Sequence, residues 1–141
     1  MTKIKVTDDN IHELIRGWVE LDPFVNLNNV DVSGVTDMSF LFDHCDFRGD
    51  ISEWDVSHVI DMQNLFNKCF FDGDISCWDT SSVEEMNYMF SGSFFRGDLS
   101  MWNVSKVINM RGMFLNSFFN GDISRWDMRA VCDCGMMFFW W

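Results

Sequence analysis

Apolar and polar positions recur along this chain with a period of 24 residues. The unit Asp55–Trp78, DVSHVIDMQNLFNKCFFDGDISCW, follows Asp31–Trp54 and precedes Asp79–Trp102 and Asn103–Trp126 without a gap. A fifth copy starts at Asp127 and runs to Trp141. One apolar column is Val35, Val59, Val83, Val107 and Val131. Three residues on stand Met38, Met62, Met86 and Met110, with Cys134 in the fifth copy. Three further come Leu41, Leu65, Met89, Met113 and Met137, followed at once by Phe42, Phe66, Phe90, Phe114 and Phe138. Spacings of three, three and one put these side chains on one face of a helical turn. The second half of the unit carries Phe47, Phe71, Phe95 and Phe119, then a Gly-Asp pair. An aliphatic column (Ile51, Ile75, Leu99, Ile123) and a Trp column (Trp54, Trp78, Trp102, Trp126) close it.

Each unit therefore predicts a short helix, a Gly-Asp turn and a short extended segment, which in the second copy are Val59–Phe66, Gly73-Asp74 and Ile75–Trp78. Ser33, Ser57, Ser81 and Ser105 stand where helix N-caps would. Glycine suits the turn because it reaches positive φ without steric cost. A unit of this size cannot bury its apolar face alone and must lean on its neighbours. The expectation is an α/β repeat solenoid, a right-handed stack of 24-residue coils, with extended segments paired in parallel about 4.8 Å apart.

Residues 1–30 lie outside the repeat. Thr2–Thr7 alternates, with Ile4 and Val6 on one side, and predicts a short strand. Ile11, Leu14, Ile15 and Trp18 follow the i, i+3, i+4, i+7 pattern of an amphipathic helix over Asp9–Leu21, with Thr7 or Asp8 as its cap. Pro23 ends it. A helix of this kind suits a terminal cap that covers the first coil while facing water on its other side. The chain thus divides into a capping segment, 1–30, and an array of four full repeats and one truncated repeat, 31–141.

The pattern D-V-S-x-V-x-D-M-x-x-L/M-F…F-x-G-D-I-S-x-W resembles the BspA-like, Mycoplasma-type surface-protein repeat, a divergent relative of leucine-rich repeats. The lead-in VTDDNIHELIRGW resembles the segment that often precedes such arrays. The resemblance implies a leucine-rich-repeat-like coil and a role in adhesion or protein interaction. Family members occur on bacterial surfaces and also in protists, algae and large DNA viruses. The opening MTKIKVTDDN lacks the apolar stretch of a signal peptide, so a cytoplasmic or viral setting is expected, with the cell surface as the alternative.

Charge narrows the partners. The formal net charge is −12, with ten basic residues scattered through the chain. Nucleic acid, which usually needs a basic stripe, is not expected as a partner. No apolar run is long enough for membrane insertion. The ladder Asp50, Asp74, Asp98, Asp122 could attract a calcium ion. Its expected role is simpler, each carboxylate accepting backbone N–H groups of its own turn. The column Asp31, Asp55, Asp79, Asn103, Asp127 reads the same way, and Ser52, Ser76, Ser100, Ser124 reads as a hydrogen-bonded ladder. No cofactor or metal is expected. Among the five cysteines, Cys45 and Cys69 share a column, so their Cα atoms should stand roughly 5 Å apart, within disulfide range. They would be bridged only in an oxidising compartment.

No acid/base pair, nucleophile constellation or phosphate loop is recognisable, so an enzyme is not expected. The remaining reading is a non-catalytic interaction or adhesion-type module for a protein partner. Its specificity would reside in two variable columns: Glu53, Cys77, Met101, Arg125, and Arg48, Asp72, Arg96, Asn120. The alternative is an assembly protein that self-associates through Met136, Met137, Phe138, Phe139, Trp140 and Trp141, where burying each large side chain is worth about 1.5–3 kcal/mol.

Overall fold

A computed structural model describes residues 2–139. Among them the regular elements are strand β1 (Ile4–Lys5), helix α1 (Ile11–Leu21) and strand β2 (Val30–Asp31). β1 and β2 form a two-stranded parallel sheet with Ile4 opposite Val30 and Lys5 opposite Asp31. The rest of the described chain is turns, loops and isolated bridges.

This corrects the expected fold class. An α/β, leucine-rich-repeat-like solenoid needs a helix and a strand in each unit, and among the described residues the repeats form no helix and no strand past Asp31. Val59–Phe66, expected to be helical, is irregular chain with one bridge at Asp61 followed by turns over Gln63–Phe66. Ile75–Trp78, expected to be extended, closes as a turn in which the Trp78 N–H donates to the Ile75 carbonyl (3.2 Å).

The reason lies in where the backbone donors go. In an α-helix each N–H reaches back four residues. Here the N–H groups of Met38, Phe40, Phe42 and His44 donate instead to the carbonyls of Asp61, Gln63, Leu65 and Asn67 in the next copy, at 2.8–3.0 Å. The intervening N–H groups of Leu41, Asp43 and Cys45 close three-residue turns onto Met38, Phe40 and Phe42 (3.2 Å each). Alternate peptide groups thus point toward the neighbouring copy and within their own. Such alternation needs left-handed residues, and two columns supply them. Phe40, Asn64, Tyr88, Gly112 and Met136 form one, and His44, Lys68, Gly92 and Asn116 the other, all with φ between 52° and 63°. Only two of these are glycine, so the other side chains bear a left-handed conformation that is normally disfavoured.

Side chains join the copies as well. The rings of Phe42, Phe66, Phe90 and Phe114 stack with successive centroids 5.5–5.7 Å apart. Trp54, Trp78 and Trp102 stack at 6.4 Å. Each indole N–H donates to a carbonyl 27 residues earlier, Trp78 to Ile51 (3.1 Å) and Trp102 to Ile75 (3.0 Å). These columns are buried together with the Val, Met and Leu/Met columns of the first four copies. In the fifth copy burial weakens: Val131 is partly buried, and Cys134 and Phe138 are exposed.

The repeated glycine answers to crowding rather than to φ. Gly49, Gly73, Gly97 and Gly121 are not among the positive-φ residues. A Cβ on Gly73 or Gly97 would lie 2.7 or 2.6 Å from the ring of the phenylalanine two residues earlier, Phe71 or Phe95.

α1 buries Ile11, Ile15 and Val19, while Leu14 and Trp18 are only partly covered. Neither Thr7 nor Asp8 caps it; the N-cap is Asn10, whose side-chain oxygen accepts the Thr7 N–H. Asp8 reaches the first copy instead. Its carboxylate accepts the N–H groups of Thr36 (2.8 Å) and Asp37 (3.1 Å) and the Thr36 hydroxyl (2.7 Å). The corresponding N–H groups of the second copy, Ile60 and Asp61, donate to Thr36 of the first. His12 Nε2 donates to the Ser39 carbonyl (2.7 Å) and Arg16 to that of Phe40 (3.4 Å). The N-terminal segment thus occupies polar groups that later copies satisfy with one another.

Replacing Phe66 with Ala should cost about 3–5 kcal/mol, the range for a fully buried phenylalanine. Gly97→Ala should cost about 1–3 kcal/mol by overpacking against Phe95. Urea titration checks both, and a neutral Gly97→Ala would show that the ring can move aside freely.

Candidate interaction surface

The two variable columns are exposed along their length: Glu53, Cys77, Met101, Arg125, and Arg48, Asp72, Arg96, Asn120. The first makes few contacts, and these reach the preceding segment of chain. Glu53 N–H donates to Asn28 Oδ1 (2.9 Å), and Arg125 lies 3.6 Å from the Met101 sulfur. The second borders a feature that sequence reasoning missed. Phe70, Phe94 and Phe118 are 44%, 43% and 51% exposed, and their rings stack at 4.9 and 5.1 Å. They form an aromatic ladder open to solvent. At one end the Arg48 guanidinium sits 4.5 Å from the Phe70 centroid and 6.0 Å from that of Phe24, and it is hydrogen-bonded to Asp46 (3.0 Å).

The ladder follows from the Phe-Phe pairs. In non-helical, extended chain, neighbouring residues point to opposite faces. Phe71, Phe95 and Phe119 turn into the core, so Phe70, Phe94 and Phe118 turn out. The doubled phenylalanine was the available signal. The buried member of each pair completes an apolar column and masks its exposed neighbour in the pattern.

Both Asp columns serve their own turns. Asp50, Asp74, Asp98 and Asp122 each accept the N–H of the serine two residues on, at 2.8–2.9 Å. Asp31, Asp55 and Asp79 do the same for Ser33, Ser57 and Ser81 at 2.9–3.0 Å. Asn103 substitutes with its amide oxygen, accepting the Ser105 N–H at 3.0 Å. Two expectations are corrected here. Ser33 and its equivalents cap no helix, and the Ser52 column forms no inter-copy ladder, since Ser76 bonds Asp74 within its own copy. These bonds hold the carboxyls below their ordinary pKa. The serine hydroxyl is the larger cause at Asp31, Asp55, Asp74, Asp79 and Asp98, and the serine N–H at Asp50 and Asp122. At Asp74 the neighbouring Asp50 and Asp98 push back upward and lose. Asp127 is held down to about 2 by the Arg129 side chain and N–H. Among the described residues no group of three or more His, Cys, Asp or Glu side chains is placed to hold a metal.

Cys45 and Cys69 are both free thiols. Burial pushes Cys69 up to about 12 and raises Cys45 too, so both are held protonated and are poor nucleophiles. Cys45 lies on the wall of an open groove of about 310 Å³ between α1 and the first copy, lined also by Arg16, Glu20, Asp43, His44 and Asp46. In the fifth copy Met137 is buried while Met136, Phe138 and Phe139 are exposed; Trp140 and Trp141 lie outside the described residues. No helix among the described residues is long and apolar enough to cross a membrane.

The family model described as "Mycoplasma protein of unknown function, DUF285" matches residues 10–117 and again 36–140. The chain belongs to this family. The two overlapping matches cover α1 and all five copies, so the family motif extends over the whole array. No curated protein and no solved structure matches the chain significantly.

The Asp turns give the DUF285 chain an acid limit. Their folded-state pKa values lie below the ordinary 3.8, so each turn stabilises the fold fully above that value. The contribution is lost as pH falls from there toward the folded-state pKa. The thermal midpoint should therefore change little between about pH 7 and 5 and drop below about pH 4. Asp79→Asn, which copies the natural Asn103, should make that drop shallower in a thermal scan series. An acid limb identical to that of the parent would remove the Asp79 turn from the explanation.

Proposed function

We propose that the chain is a non-catalytic protein-interaction module of adhesion type, related to the BspA-like repeats. The supporting observation is the solvent-open ladder Phe70–Phe94–Phe118. Three adjacent half-exposed aromatic rings, in a chain with 22 acidic and ten basic residues, form the kind of apolar strip that marks interaction surfaces. The bordering residues Arg48, Asp72, Arg96 and Asn120 differ from copy to copy and supply a polar rim. The recurring side chains are spent on burial and turns, which leaves the exposed columns for a protein partner. Nucleic acid is disfavoured by a net charge of −12.

Affinity capture with the parent chain and a Phe70→Ser/Phe94→Ser/Phe118→Ser variant, run side by side, tests this. The expected outcome is a set of proteins retained by the parent and lost by a variant of similar thermal midpoint. Identical captured sets, or turnover in a hydrolase panel, would sink the reading.

A second reading is self-association through the fifth copy. Phe138 stacks on Phe114 at 5.4 Å yet is 50% exposed, whereas Phe42, Phe66, Phe90 and Phe114 are at most 1% exposed. Sedimentation over a concentration series should then show association that Phe138→Ser/Phe139→Ser abolishes. Concentration-independent sedimentation of the parent would exclude it.

A further inference from the structure

Resting on the interaction reading above, we propose that the ladder Phe70–Phe94–Phe118 seats one amphipathic α-helix of a partner protein, with basic residues flanking the helix's apolar stripe. Two independent features of the surface select this occupant.

The first is spacing. The rings repeat at 4.9 and 5.1 Å, so the ladder spans at most 10.0 Å from first to third ring. One turn of α-helix rises about 5.4 Å. A helix lying along the ladder presents side chains at i, i+3 or i+4, and i+7, one to each ring, and drifts less than about 1 Å over the three. An extended strand repeats its same-face side chains every 6.6–6.8 Å, so its third would overshoot by roughly 3 Å. The rings are stacked on one another and so offer their edges outward. Edges interdigitate with branched aliphatic side chains and offer no flat platform to a sugar or a base.

The second is charge. Arg48, at the first end, is already engaged by Asp46 and the Phe70 ring. Along the rest of the strip the exposed carboxylates of Asp72, Asp74, Asp98 and Asp122 outnumber the basic Lys68 and Arg96, and the Asp72 carboxylate accepts the Arg96 backbone N–H (2.7 Å). The Asp74–Asp98–Asp122 row stands four residues along the chain from the rings, at most about 14 Å between Cα atoms. A helix is about 10–12 Å wide with its side chains, so lysines or arginines on one flank reach that row while its stripe rests on the rings. The −12 charge of the whole chain favours approach of such a helix.

The test uses a defined probe, a capped peptide of about 15 residues with leucines at helical spacing, lysines on the flanks and alanines elsewhere. Its partner is a peptide of the same composition with the leucines alternating. Binding of each to the full chain is measured by fluorescence anisotropy at physiological salt. The helical peptide should bind at least about tenfold more tightly than the alternating one. Phe94→Ser and, separately, Phe118→Ser should each weaken it about tenfold. Ile108→Ser, which removes an exposed aliphatic residue elsewhere, should leave it unchanged, and Asp98→Asn should weaken it and flatten its salt dependence. Equal binding of the two peptides would reduce the effect to bulk charge and overturn the proposal. So would unchanged binding to both Ser variants, or no binding of either peptide. If neither peptide binds while the triple Ser variant still loses its captured proteins, the interaction reading stands and the helical partner falls.

Discussion

The structure depends on one constraint: the alternating direction of the peptide groups from Met38 to Cys45 and in the matching segments of later copies. Every second N–H is committed to a carbonyl in the next copy. A net hydrogen bond is worth only about 0.5–1.5 kcal/mol, but a buried donor left without a partner costs about 1–3 kcal/mol. Each copy is therefore held less by the gain of its inter-copy bonds than by the penalty for losing them. The same commitment explains the left-handed residues at Phe40 and His44 and their equivalents, which turn the peptides over. It also explains the N-terminal segment. The first copy follows no other copy, and Asp8 and His12 supply the partners that a preceding copy provides elsewhere, while Arg16 adds a bond to the Phe40 carbonyl. Burial raises the Asp8 carboxyl pKa, but the bonds from Thr36 and Asp37 outweigh it and leave the group ionised and tied down.

Given this backbone, the side chains can do little else than repeat. Stacking Phe on Phe and Trp on Trp requires every copy to place its ring at the same height. The indole N–H to a carbonyl 27 residues earlier fixes that height for Trp54, Trp78, Trp102 and Trp126. Glycine at the Gly-Asp position leaves room for the ring two residues before it. The glycine, the ring and the aspartate that follows form a single local device. The ring fills the core, the glycine clears it, and the Asp carboxylate closes the turn onto the next serine.

Much of the burial was legible from the sequence, and much of the conformation was not. The positions of Val59, Met62, Leu65 and Phe66 read as one apolar face, and all four are buried. Their spacing of three, three and one also fits a helix, and that local inference failed. A run of tight turns presents the same residues inward while sending its N–H groups sideways, and spacing alone does not distinguish the two. Flanking chemistry carried the missing information. Asn and Gly at the left-handed columns are poor helix companions, and Asp-x-Ser at eight places along the chain signals turns rather than caps. In α1 no neighbouring copy competes for the backbone, and there the pattern read well: Ile11–Leu21 lies within two residues of the expected span. The aromatic ladder was readable in principle from the Phe-Phe pairs. It was missed because one member of each pair already satisfied the apolar column.

The exposed rings are informative because the repeat does not need them. Asp46 occupies the same column in the first copy, and the turn before it closes as in the later copies, Cys45 N–H onto Phe42 as Cys69 onto Phe66, Ser93 onto Phe90 and Ser117 onto Phe114. Backbone pairing therefore does not require an aromatic residue there. An exposed phenylalanine stacked on its neighbour keeps about half its surface in water and gains the small advantage of ring contact, about 0.5–1.5 kcal/mol. The stack alone recovers only part of what burial of the same ring would give, about 1.5–3 kcal/mol. The remainder becomes available when something covers the strip. The first copy, with Asp46 and Arg48 in place of a ring, ends the strip in charge and sets a limit on its length. A surface with a fixed repeat, one charged end and a polar border would select a partner by spacing as well as by apolar area.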